Sequence, residues 1–233
     1  MKRGKFARAL DRKRPRLTRS KVRRYLKKRT AVPKTIAFQG IGFPSKQLVT
    51  LKYADKVSVT VTGGVPTLRS WWANSLYSPD AGGGGHQPLY FDQYMALYQH
   101  YCVIGSSFKA RVIPLDVNSN YVSCTALVND TSSTSNQDPE YIVELTQGHT
   151  MQYFSGATGP ATLRKKWSAK KYFGKSPLAN VDLQGTSTSN PTEGSFYCIV
   201  AQVADESTTL TFKIEVEISY IVIFKELKPV AQS

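Results

Sequence analysis

Two stretches of this 233-residue chain are spelled like phosphate-binding loops. In Asp80–Tyr94, four consecutive glycines precede His86, so that backbone N–H groups could cradle an anion beside an imidazole base. Ala169–Ser176 reads AKKYFGKS, a permissive Walker A pattern with Ala169 in place of the first glycine. Context weakens both. The glycine run contains no lysine, Pro88 separates it from the helical spacing that follows, and nothing nearby supplies His86 with a nucleophile or an orienting partner. Around the second stretch, the approach LRKKWS is not a buried parallel strand and Pro177 follows Ser176; no apolar run ending in a metal-binding aspartate comes after it. His86, His100, His149 and the three cysteines form no CxxC or HxxxH pair, and no GxSxG element is present. These residues argue against an enzyme, and they call for neither a cofactor nor a metal.

The chemistry that remains is electrostatic. The formal net charge is +15, and residues 1–29 hold fifteen Lys and Arg against the single Asp11, which is +14; the rest of the chain is +1. The cations are Lys2, Arg3, Lys5, Arg8, Arg12, Lys13, Arg14, Arg16, Arg19, Lys21, Arg23, Arg24, Lys27, Lys28 and Arg29. Like charge at this density repels itself and excludes a packed core, so the arm is expected to be disordered alone and to take a polyanion, nucleic acid, as its partner. Its apolar residues (Phe6, Leu10, Leu17, Val22, Tyr25, Leu26) make no stripe suited to a membrane surface. Ser20 can cap a helix over KVRRYLKKR once the charges are neutralised.

A second basic cluster lies far from the arm. In LRKKWSAKKYFGK, residues Leu163–Lys175, the cations Arg164, Lys165, Lys166, Lys170, Lys171 and Lys175 are interleaved with Trp167, Tyr172 and Phe173. One reading is an edge strand guarded by lysines. The other is a second contact for single-stranded nucleic acid, in which Arg164, Lys165, Lys166, Lys170 and Lys171 neutralise phosphates and Trp167 stacks on a base.

The elements that must position these residues are strands. After a proline- and glycine-broken linker over 30–45, Val49, Leu51, Tyr53, Val57, Val59 and Val61 alternate with mostly polar residues, as in a half-buried strand. The same period runs from Leu210 to Phe224, with both faces apolar from Ile221, so that end is expected to be covered on both sides. Further strands are expected at 102–113, 120–129, 141–154 with Gly148 as a point of interruption, 160–168 and 195–204, and helical spacing appears only in FDQYMALYQHY from Phe91. Cys102, Cys124 and Cys198, odd in number and set in apolar runs, read as buried free thiols of a reducing compartment. No signal-peptide core and no apolar run near the length of a membrane span is present, so neither secretion nor membrane insertion is expected. The pattern predicts an all-β chain: a single eight-stranded antiparallel jelly-roll sandwich over 46–229 with one short helix, a basic arm over 1–29 and a tail over 230–233, with an immunoglobulin-like sandwich as the alternative.

Within Trp72–Val112, Asn74-Ser75, Pro79-Asp80, the glycine run, Gly85-His86-Gln87-Pro88, Phe91-Asp92-Gln93, Tyr98, Tyr101, Val103 and Gly105-Ser106 form a recognisable series. It resembles the capsid proteins of small circular Rep-encoding single-stranded DNA viruses of the circovirus-like assemblage. The resemblance implies a jelly-roll subunit that assembles, in sixty copies for the smallest shell, around a circular single-stranded DNA genome with the arm turned inward. It further implies a virion protein that passes through the host nucleus, with DRKRPR and RRYLKKR as localisation signals read by import receptors, and a host attachment receptor of unknown identity. On the residues alone, a coat protein of a small RNA virus and a cellular nucleic-acid-binding protein stay open. The glycine run is expected to be a connector whose following aromatics pack on the sandwich.

Overall fold

Period-two alternation produces long strands. In the computed structural model, which describes residues 42–115, 121–133, 142, 144, 149–174, 176–203, 205 and 208–229, the elements in chain order begin with β1 (Lys46–Thr62), β2 (Thr67–Trp72), helix α1 (Phe91–Leu97), β3 (Tyr98–Pro114), β4 (Val122–Asn129) and β5 (Thr150–Phe154). They continue with β6 (Ala161–Ser168), helix α2 (Ala169–Phe173), 3-10 turns at Pro177–Ala179 and Val181–Leu183, the two-residue β7 (Gln184–Gly185), β8 (Phe196–Val203) and β9 (Thr209–Leu227). The expected arm over 1–29, most of the linker and the 230–233 tail lie outside the described residues.

The strands form two antiparallel sheets, ordered β1-β9-β3-β6 and β2-β8-β4-β5, with β7 added to β3. Successive long strands change sheet at every step except between β4 and β5, which pair directly. This is the eight-stranded jelly roll, and its alternation excludes the immunoglobulin order. β1 and β9 run in unbroken register from Lys46↔Lys225 to Thr62↔Thr209, and β9 pairs with β3 on its other side.

The inner faces supply the core. Tyr53, Val61, Phe108, Ala110, Leu163, Phe212, Ile214, Val216 and Tyr220 from the first sheet meet Trp71, Cys124, Ala126, Tyr197, Ile199 and Ala201 from the second. Fully burying one such large apolar side chain stabilises the fold by about 1.5–3 kcal/mol. A smaller cluster of Leu127, Ile142, Phe196, Cys198 and Val200 lies on the other face of the second sheet, so β4 and β8 are covered on both sides. The two-sided burial expected at the end of β9 holds only in part, since Ile223 is half-buried beside the buried Cys102. Ile221 is 43% exposed, because the outer face of the first sheet is open at that point.

Two further expectations need correction, and one strand, β2, is not among those expected. The helix that starts at Phe91 stops at Leu97, and Tyr98 opens β3, because pairing with β9 outcompetes the helical spacing of Tyr98 and Tyr101. Of the strand expected over 141–154 with an interruption at Gly148, only the part beyond Gly148 forms, as β5 from Thr150; Ile142 and Glu144 are helical, and Ile142 packs against the second sheet. β2 carries no alternation, since Trp71 enters the main core while Leu68 and Trp72 join the smaller cluster, and its pattern gave no strand signal. All three cysteines are free and buried, as expected.

Candidate nucleic-acid interface

The glycine run does not build an anion site. Trp71 bridges to Asp80, which is buried, accepts from the Gly82 N–H at 2.9 Å and lies 3.6 Å from the Arg69 guanidinium. Gly83 and Gly84 take the turn at φ 76° and 101°. Gly85 sits so close to Tyr53 that an added Cβ would lie 2.6 Å from the Tyr53 hydroxyl. His86 packs edge-on against the Tyr53 ring at 4.9 Å, and its Nδ1 lies 3.1 Å from the carbonyl of Gln87. Beyond the turn, Phe91 packs edge-on against Tyr101 at 5.4 Å and Tyr94 stacks on Phe224 at 4.7 Å. The stretch is a connector that fastens α1 to the sandwich.

Other residues of the same series form a lock behind it. The buried Tyr101 hydroxyl lies 2.9 Å from Ser75 Oγ and accepts from the Leu76 and Tyr77 N–H groups, each at 3.3 Å. Ser75 Oγ donates to Asn190 Oδ1 at 2.6 Å, and the Asn74 side chain joins the Glu193 carbonyl and the Ser195 N–H. These residues hold the β2–α1 and β7–β8 connections together, and their role is structural.

The second basic cluster divides on folding. β6 is an edge strand that pairs with β3, and its alternation sends Arg164 and Lys166 outward while Leu163 and Trp167 point into the core. Trp167, expected to stack on a base, is only 5% exposed; it packs with Tyr172 and Phe173 at 6.4 and 6.2 Å, because the strand parity that exposes Arg164 and Lys166 must bury it. Lys165 shares that inward parity, is half-buried, and has its ammonium pKa lowered by burial. Lys170 and Lys171 are exposed on α2, which occupies the place where a nucleotide loop would require a glycine-rich turn. Lys175 and the arm cations lie outside the described residues.

Register then adds residues that no local pattern flags. On the outer face of the first sheet, Lys109 sits opposite Arg164 and Glu217, Arg111 opposite Thr162 and Glu215, and Ser107 opposite Lys166 and Ser219. On the far side of β9, Lys52 faces Ser219, Lys56 faces Glu215 and Ser58 faces Lys213. Lys56 and Lys109 form ion pairs with Glu215 at 2.9 Å and Glu217 at 3.0 Å. The bonded Lys56 ammonium, with Arg111 and Lys213 close by, holds the Glu215 carboxyl below the usual carboxylate range. Among the described residues, Lys52, Arg111, Arg164, Lys166 and Lys213 make no ion pair within 4 Å. Ser107, Ser219, Lys109, Arg164, Lys166 and Glu217 line a shallow depression of roughly 600 Å³.

No family model and no curated protein matches the chain. Among solved structures, the chain is similar to that of the mud crab tombus-like virus at 12% identity, covering 84% of this chain and 96% of that one with a TM-score of 0.48. It is also similar to turnip yellow mosaic virus at 11% identity, covering 81% and 99% with a TM-score of 0.42. A third similarity, at 11% identity over 82% and 100% with a TM-score of 0.43, is to the 60-mer BFDV capsid protein.

Proposed function

We propose that the chain is the shell subunit of a small icosahedral virus and packages a circular single-stranded DNA genome through its N-terminal arm. The observation that carries this reading is the division of charge: +14 in residues 1–29, against +1 for the remainder, most of which forms a jelly-roll sandwich. A neutral sandwich can pack against copies of itself while a cationic arm neutralises polyanion. The DNA assignment draws on the Asn74–Ser106 series, and passage through the nucleus draws on DRKRPR and RRYLKKR.

The mechanism is charge neutralisation. Sixty arms supply ~840 positive charges, enough for a comparable number of phosphates, with the remainder of a genome left to counterions. Packaging is then independent of sequence and weakens with salt, because affinity comes from counterion release and not from base contacts. The test is negative-stain microscopy of the full-length protein and of a variant with the fifteen arm cations replaced by Gln, with nuclease protection of co-purified nucleic acid. Uniform shells near 20 nm, with contents destroyed by DNase and not RNase once the shell is opened, are expected only with the native arm. RNase-sensitive contents would reassign the genome to RNA. Monomers that bind DNA and never close into shells would overturn the capsid reading in favour of a cellular nucleic-acid-binding protein.

A further inference from the structure

We propose that the outer face of the β1-β9-β3-β6 sheet is a second phosphate-binding surface, a track for the backbone of single-stranded nucleic acid that operates without base stacking. The proposal rests on the packaging reading and deepens it. Lys46, Lys52, Lys56, Lys109, Arg111, Arg164, Lys166, Lys213 and Lys225 stand at outward positions of this sheet, where the acidic residues are Glu215 and Glu217, which is +7. Elsewhere the described residues hold five basic and nine acidic side chains, which is −4. A body that is nearly neutral in sequence is therefore polarised in space, with one cationic face on an otherwise acidic domain.

Edge protection does not account for this arrangement. Lysines guard a sheet by standing on its edge strands, yet Lys109, Arg111 and Lys213 stand on the central strands β3 and β9. Their spacing suits a phosphodiester chain. Arg164 and Lys166 are two residues apart on β6, as Lys109 and Arg111 are on β3; this sets successive cations about 6.7 Å apart, on the scale of neighbouring phosphates in an extended strand. Ser107 and Ser219 floor the depression between them and present hydroxyl donors. The two ion pairs are exposed and contribute little, so a phosphate can displace either carboxylate. The aromatics interleaved in the sequence face away from the track, since Trp167, Tyr172 and Phe173 pack on one another. Recognition therefore reads charge and not bases.

The experiment uses the full chain with its fifteen arm cations replaced by Gln, so that the dominant contact is silent. Fluorescence anisotropy with a labelled 30-nucleotide oligo(dT) between 50 and 200 mM salt compares this chain with the same chain carrying Arg111→Gln, Arg164→Gln and Lys166→Gln. A charge-matched control carries Val181→Glu, Ser187→Glu and Thr188→Glu on exposed turns. Three lost phosphate contacts lower the slope of log K against log salt by about 2, so affinity should fall about 20-fold less across that range in the triple Gln variant. The control should keep the parent slope. Equal slopes in parent and triple variant, or equal losses in triple variant and control, would overturn the proposal. Tighter binding of a sulfated oligosaccharide than of oligo(dT), abolished by the triple variant, would assign the face to a glycan and also overturn it. Shell formation by the unaltered chain is scored separately, so a protein that never assembles yet shows the slope change fails the packaging reading and keeps the track.

Discussion

Replacing Trp167 separates the two roles its sequence context allows. The side chain is 5% exposed against Tyr172 and Phe173, and its Nε1 has no hydrogen-bond acceptor among the described residues, so truncation removes packing alone. Trp167→Ala should cost about 3–5 kcal/mol of folding stability, as large-to-small changes of a buried aromatic do. With a urea dependence of about 2 kcal/mol per molar, the unfolding midpoint of the unassembled subunit should fall by roughly 2 M. Trp167→Phe keeps most of the buried area and should shift the midpoint by less than about half as much. A stacking residue behaves oppositely: losing one base stack costs about 1–3 kcal/mol of binding, or roughly 5- to 150-fold in oligonucleotide affinity, and leaves stability unchanged. Urea unfolding and oligo(dT) anisotropy on the same preparations decide between them. A tenfold or greater loss of affinity with a midpoint moved by less than about 0.3 M would refute the inward placement of Trp167.

Three other outcomes follow from the structure. Tyr101→Phe strips the hydroxyl from Ser75 and the Leu76 N–H; Tyr77 retains a Ser75 contact, so one buried donor is orphaned, and destabilisation of about 2–3 kcal/mol is expected in urea unfolding, with a loss under about 0.5 kcal/mol counting against the lock. Gly85→Ala drives a Cβ to 2.6 Å from the Tyr53 hydroxyl and 2.8 Å from Asp80 Cβ and should cost about 1–3 kcal/mol, more than Gly83→Ala, which meets open space and carries only the strain of φ 76°; calorimetry giving the reverse order would show that the run is not packed against the sandwich. Burial pushes the Cys102 thiol up to about 11 and the Cys198 thiol up to about 12, and raises Cys124 as well, so alkylation at pH 8 should require urea. Because the folded chain holds these protons more tightly, their contribution to stability is complete below the ordinary thiol range near 8.5 and is lost as pH climbs toward 11–12; a urea midpoint unchanged from pH 8 to 11 would contradict their burial.

Features written in local order are legible from the residues alone. Alternation from Val49 to Val61 and from Leu210 to Phe224 specifies half-buried strands whatever their partners, and the crowding of fifteen cations before Thr30 is countable from the residues alone. Much of the lock was visible too, since Asn74, Ser75 and Tyr101 lie in the series that carried the resemblance. Which strands become neighbours is settled by long-range pairing, and everything that depends on adjacency follows from it. Burial on both faces erases the period of β2, and α1 ends early because β9 offers Tyr98 a paired strand. Trp167 looked like a contact residue until the parity of β6 turned it inward. The basic face is the clearest case: Lys52, Lys109, Arg164 and Lys213 are scattered over some 160 positions of sequence, and sheet order with register brings them onto one surface. Charge along a chain is additive and can be counted, whereas charge on a surface depends on long-range pairing that no local window contains.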